Sequence, residues 1–212
     1  MTYPVKVIIF DFDGTLADTL EPLLAITNRL AVEFGYPQMD LEAVRKLQQL
    51  SSKDIIRQSR IPIFSIPFLL RRLKADLYKE IHQVDVFPGI AEVLKELHRH
   101  GHILGIVTSN STDNVHAFLE AHQLNSLFDF VHSGTTIFGK HRIIRRVLKQ
   151  RGIEHTEVLY VGDETRDIES AAKLPIQIAS VTWGFNTRDV LAQHQPDYLL
   201  DHPQDLIRIA CS

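Results

Sequence analysis

A chain of 212 residues buries one substantial core and leaves room for a small second domain or a large insertion. Its 44% hydrophobic and 23% charged residues are ordinary for a soluble globular protein, and a net charge of −3 gives no general reason for nucleic-acid or membrane binding. Cys211 is the one cysteine, which excludes an internal disulfide and fits a reducing compartment. The N-terminal apolar stretch is too short for a signal-peptide core and no segment approaches the length of a membrane span, so the expected location is the cytoplasm.

The run Val5-Lys6-Val7-Ile8-Ile9-Phe10 is short, apolar and rich in β-branched residues, and it runs into Asp11-Phe12-Asp13-Gly14-Thr15-Leu16. That junction predicts a buried strand whose C-terminal tip delivers two carboxylates into a loop. Open α/β sheets place their chemistry at such tips. Carboxylates two residues apart repel unless a cation lies between them or one holds a proton, so the pair points to Mg²⁺ or to acid/base work.

From about Ala17 to Val84 the pattern turns helical. Leu20, Leu23, Leu24, Ile26, Thr27, Leu30, Ala31 and Phe34 form an apolar stripe that Gly35-Tyr36-Pro37 ends. Further helices are expected near 40–50, 52–59 and 66–82, with Pro62 and Pro67 breaking the segment between the last two. From Val86 onward strand and helix alternate, the pattern of a parallel sheet covered on both faces. Strands are expected at about 103–108, 128–132, 157–162, 177–182 and 197–200. Helices fall near 89–100, 112–122, 140–151, 165–173, 187–194 and 203–210. The expected fold class is α/β, with a Rossmann-like core of residues 1–16 and 85–212 interrupted by a helical insertion at 17–84.

Three further positions carry chemistry. Thr108-Ser109-Asn110-Ser111 ends a predicted strand just before a helix, where hydroxyls and free N–H groups suit either a phosphate or plain N-capping by Asn110 or Ser111. Lys140 opens a basic helix whose other charges form a solvated face. Gly162-Asp163 ends another strand, with Asp167 four residues on, and such oxygen ligands suit Mg²⁺. His98, His100 and His102 straddle a helix end, where positive charge suits the helix dipole better than a metal site does.

Asp11-Phe12-Asp13-Gly14-Thr15-Leu16 resembles the first motif of the haloacid dehalogenase-like phosphatases in its DxDGTL form, and Gly162, Asp163 and Asp167 fit their GDxxxD motif. The whole chain resembles the phosphoglycolate phosphatase-like branch, whose helical cap follows the first motif. The resemblance implies that Asp11 is the nucleophile and Asp13 the general acid/base, with Thr108 and Lys140 completing the catalytic set, although Arg142 rivals Lys140. Phe12, Thr108, Ser109, Asn110 and Lys140 would contact the phosphate. Asp163 would hold Mg²⁺ together with the Asp11 carboxylate and the Asp13 backbone carbonyl, and Asp167 would stand just behind them. Glu164 departs from the small hydroxyl residue common at that position and could hold a metal-bound water or alter the preferred metal. Hinges are expected at Leu16-Ala17 and at Asp85-Val86-Phe87-Pro88-Gly89. The substrate loop would be Gln48 to Asp54, which lacks an expected glycine, with contacts from Ser51, Ser52 and Lys53.

The implied reaction is hydrolysis of a small phosphorylated metabolite through an aspartyl phosphate. Two rivals stand beside it. A phosphomutase of the β-phosphoglucomutase type could grip a second phosphate with Lys53 and Arg57. A binding or regulatory protein could keep the fold without turnover. The sequence carries no signal for an oligomeric state.

Overall fold

The computed structural model describes residues 5–58, 61–133 and 139–211. Its strands are β1 (Val7–Phe10), β2 (Ile103–Thr108), β3 (Phe130–Ser133), β4 (Val158–Gly162), β5 (Gln177–Val181) and β6 (Tyr198–Leu200). They form one sheet in the order β3-β2-β1-β4-β5-β6, with every neighbouring pair parallel. All four β1 residues are buried. They show no polar alternation because helices cover both faces of the sheet. Ile8 and Phe10 pack in one core layer, while Val7 and Ile9 pack in the other.

The first layer takes its helical side chains from α5 (Ile90–Arg99), α6 (Thr112–Ala121) and α10 (Asp205–Ala210). The second takes them from α7 (Lys140–Arg151), α8 (Thr165–Ala172) and α9 (Arg188–Gln193). Each of these strands and helices lies within a few residues of its expected position. The chain builds outward from β1 to β2 and β3, then returns to the other side of β1 with β4. That reversal opens a crevice at the C-terminal ends of β1, β2 and β4, the usual ligand position in such sheets. Register sets Phe10 beside both Ile106 and Val161, so Asp11, Thr108 and Asp163 leave the sheet edge together.

Between β1 and β2 lie α1 (Leu20–Phe34), α2 (Leu41–Gln48), α3 (Ser52–Gln58) and α4 (Ile66–Glu80). Residue 59, the expected end of the third, lies outside the described residues. Ile26, Leu30 and Leu77 of these helices join the same apolar cluster as Ile8 and Phe10 of the sheet. The two connections into this segment run side by side: the Asp18 N–H donates to the Asp85 carbonyl at 2.9 Å and the Phe87 N–H to the Leu16 carbonyl at 3.1 Å. Among the described residues no helix is long and apolar enough to cross a membrane.

Candidate active site

Asp11 follows the last residue of β1, and its N–H continues the ladder by donating to the Val161 carbonyl at 2.8 Å. Its side chain is buried, with Oδ1 accepting from the Phe12 N–H at 2.7 Å and Oδ2 accepting from Lys140. Lys140 is the first residue of α7, is itself buried, and also donates to Asp167 Oδ1 at 2.7 Å. Burial alone would lower the Lys140 pKa, but the carboxylates of Asp11 and Asp167 outweigh it and hold the ammonium charged. The rival Arg142 is exposed on the outer face of α7.

Asp13 is held from the next strand over. The Asn110 side-chain amide donates to both its carboxylate oxygens, at 2.9 and 3.1 Å. Asn110 Oδ1 in turn accepts from the Ser111 N–H at 2.7 Å and from Asn114 Nδ2 at 2.8 Å. The cap of α6 is Ser111, whose hydroxyl accepts the Asn114 N–H at 3.2 Å. Of the two residues expected as the cap, Ser111 takes that place, and Asn110 holds Asp13 instead. Thr108 is fully buried, and its hydroxyl oxygen accepts the Asn110 N–H at 2.9 Å.

Asp163 follows the end of β4, where Oδ1 accepts from the Thr15 hydroxyl and Oδ2 from the Phe185 N–H, both at 2.8 Å. Gly14, at φ +74°, and Gly184 bring backbone hard against this carboxylate, and a Cβ at either position would overlap it. Ligand oxygens of Asp11, Asp163 and Asp167 lie within 4.8 Å of one another, all three residues buried. Burial pushes Asp11 up to about 6 even against the pull of Lys140. Burial, followed by the charges of Glu164, Asp11 and Asp167, pushes Asp163 far above the usual carboxylate range. Burial also raises Asp13.

This donor set fits a small hard cation, since a group of carboxylates with too little positive charge among them is what Mg²⁺ relieves. The three are unequal, however. Asp167 spends one oxygen on Lys140 and the other on the Glu164 N–H at 3.1 Å, whereas Asp163 has only neutral donors. Asp163 is therefore the one of the three without a cationic partner to compete with a metal, whereas Asp11, like Asp167, gives one oxygen to Lys140 and the other to a backbone N–H.

Several expected contacts sit elsewhere. The Phe12 ring is buried edge-on against Phe118 at 5.1 Å, so only its backbone N–H reaches the site. Glu164 accepts from the Ser52 hydroxyl at 3.0 Å and from Arg166 at 2.5 Å, so its oxygens tie α3 to α8. Ser51 pairs with Asp54 at the start of α3, at 2.7 and 3.2 Å, and Lys53 pairs with Glu169 at 2.9 Å. Of the three expected loop contacts, Ser52 alone lines the cavity of about 340 Å³ that opens beside Asp13, Ser109 and Asn110.

Sequence reasoning passed over Thr15, Asn114, Arg166, Lys74 and Asn186. The first and third lie inside motifs already noted and were within reach. Lys74 and Asn186 carry no local signal. Asn186 is buried and donates to the carbonyls of Gln48 and Leu50, each at 3.0 Å, while its Oδ1 accepts the Thr165 N–H at 3.0 Å. Asn186→Ala should leave these groups unpaired and destabilise the protein by about 1–3 kcal/mol, measured by urea unfolding. A loss below about 0.5 kcal/mol would mean that water replaces the amide without cost.

A family model described as haloacid dehalogenase-like hydrolase matches residues 8–181. The chain is 40% identical over 204 residues to a phosphoglycolate phosphatase of Synechococcus elongatus, covering 96% of each. It is 27% identical to a phosphoglycolate phosphatase of Aliivibrio fischeri, covering 97% of this chain and 96% of the relative. Among solved structures, a haloacid dehalogenase-like hydrolase of Streptococcus pneumoniae superposes with a TM-score of 0.82 at 22% identity, covering 97% of this chain and 98% of the other. The CbbY protein of Rhodobacter sphaeroides, solved with phosphate, does so with a TM-score of 0.76 at 22% identity, covering 95% and 96%.

Proposed function

The chain belongs to the haloacid dehalogenase-like hydrolase family, and we propose that it is a Mg²⁺-dependent phosphatase acting on 2-phosphoglycolate. The observation that carries this reading is the pairing of Asp11, buried at the tip of β1 and fixed by Lys140, with Asp13, which Asn110 holds two residues away. Relatives named phosphoglycolate phosphatase that match nearly the whole chain supply the substrate.

A carboxylate oxygen of Asp11 attacks phosphorus as the bond to the ester oxygen breaks. Asp13, whose pKa burial raises, gives its proton to that leaving oxygen as the general acid. It then takes a proton from the water that attacks the resulting aspartyl phosphate, which restores Asp11 and releases phosphate. Lys140 offsets the repulsion between Asp11 and the incoming dianion, and the buried Thr108 and the Ser109 loop offer donors to the phosphoryl oxygens. Mg²⁺ held by Asp11, Asp163 and the Asp13 carbonyl would supply the remaining positive charge as the transition state forms. The paired connections at 16–18 and 85–87 are the hinge on which α1 to α4 open as a cap, with Asn186 and Glu164 fastening the closed state.

The mutase alternative gains no support from Lys53 and Arg57, since neither lines the cavity beside Asp13 and they pair on the surface with Glu169 and Asp54. The direct test is a panel of phosphate esters with and without Mg²⁺. Phosphate release from 2-phosphoglycolate that requires Mg²⁺ is expected, and isomerisation of a sugar phosphate without phosphate release would favour the mutase.

The same cluster predicts a pH-dependent response to the metal. Without a cation, the raised carboxylates bind protons more tightly folded than unfolded, so metal-free stability falls as pH rises from about 4 through 6. Mg²⁺ at about a hundred times its Kd should add roughly 2.7 kcal/mol at pH 7.5, a rise of about 5–10 °C in Tm. The gain should shrink towards pH 5, where protons replace the cation. A thermal shift that is flat across this range would remove Asp11 and Asp163 as the metal ligands.

A further inference from the structure

We infer that Lys74 and Arg166 form the binding site for a carboxylate on the substrate, so that the enzyme selects short phosphorylated carboxylic acids. This deepens the phosphatase reading and rests on it.

Lys74 lies on α4, and its backbone carbonyl accepts from Asn114 Nδ2 at 3.0 Å, the same amide that braces Asn110 and so Asp13. The side chain points into the cavity beside Asp13 and is half-buried there. Among the described residues no carboxylate forms an ion pair with it. The charges that act on it are Asp13 and Arg166. Arg166 lines the same cavity from α8, with one arm of its guanidinium on Glu164 and with a buried Nε that has no hydrogen-bond partner. Two cations therefore converge on one space, opposing each other, with donors unspent. An anion placed between them satisfies both, and the planar guanidinium suits a carboxylate.

The position of the pair sets the length of the ligand. Asp13 is where the leaving oxygen takes its proton, and it is also the charge that acts most on Lys74. A carboxylate at Lys74 shares one cavity with the leaving oxygen at Asp13, which suits a short ligand. The other walls argue against a sugar. Leu23, Ile55, Leu70 and Leu73 form an apolar wall against which a polyol would leave hydroxyls unpaired, while the polar groups Thr27, Ser52, Ser109 and Asn110 stand elsewhere on the cavity lining. Phosphate and carboxylate thus bind at opposite ends of a short molecule, one at Lys140 and one at Lys74.

The test compares kcat/KM for 2-phosphoglycolate with that for ethyl phosphate, which keeps the ester and lacks the carboxylate. Native enzyme should prefer 2-phosphoglycolate by about a hundredfold or more. Lys74→Met and Arg166→Met should each lower that ratio by about tenfold or more, chiefly through KM. Lys74→Arg, which keeps the charge, should restore part of it. Lys74→Met also guards against misfolding, because Lys74 makes no side-chain bond among the described residues that its loss could break. A ratio near unity in native enzyme, or one that neither methionine variant moves, overturns the carboxylate site while leaving the phosphatase intact. If neither ester nor p-nitrophenyl phosphate is hydrolysed with Mg²⁺, the phosphatase reading itself fails and this inference goes with it.

Discussion

Asparagine in place of Asp11 is expected to lower kcat for phosphate release by about 10⁴- to 10⁶-fold, the range seen when a covalent nucleophile is removed. The substitution keeps the shape of the side chain and its contact with the Phe12 N–H, but an amide oxygen carries too little charge to attack phosphorus. The fold should survive, because burial holds Asp11 up to about 6 and a neutral group there removes that cost at neutral pH. Lys140 keeps Asp167 as its partner. The expected result is therefore an inactive protein whose Tm without metal equals or exceeds that of the native chain, measured by calorimetry beside a phosphate-release assay. Turnover within about tenfold of native would remove the covalent mechanism.

Lys140→Met should act on both stability and rate. Among the described residues the ammonium is the cation that ion-pairs with both Asp11 and Asp167, and its loss removes that shared partner and leaves Arg166 as the nearby positive charge. Breaking a buried ion pair from one side costs about 3–5 kcal/mol, which for a chain of 212 residues lowers Tm by roughly 10 °C. The deficit should narrow as pH falls below about 6, because Asp11 then takes up a proton and no longer needs the ammonium. Losing a fixed charge that stabilises the transition state should also lower kcat by about 10²- to 10³-fold. A variant of native stability at pH 7.5 would mean that water already screens this cluster, contrary to its burial.

Most of the candidate site was readable because its members sit at ends of strands or helices that announce themselves locally. Val7 to Phe10 is too apolar to be anything but interior, and the carboxylates follow at once. Asp163 and Thr108 hold the same relation to β4 and β2, so parallel pairing brings them to Asp11 without any further information. The cap loop lacked such a landmark. Ser51, Ser52 and Lys53 are consecutive, yet on a helix start they point in different directions, and only Ser52 faces the cavity. Glu164 read as a possible metal group because its partners, Ser52 and Arg166, become visible only once α3 rests on α8.

The sequence by itself determined the strands, the helices on either side of them and the placing of candidate carboxylates at strand ends, because period and strand-end position are short-range properties of the chain. Only the tertiary structure decided which oxygens remain open to a cation, which residue caps α6, and which cations look into the cavity. Lys74 shares a cavity with Asp13 and Arg166, and Asn186 meets Gln48 across 138 positions of sequence. Such contacts depend on how α1 to α4 settle against the sheet, a packing choice that no local pattern encodes.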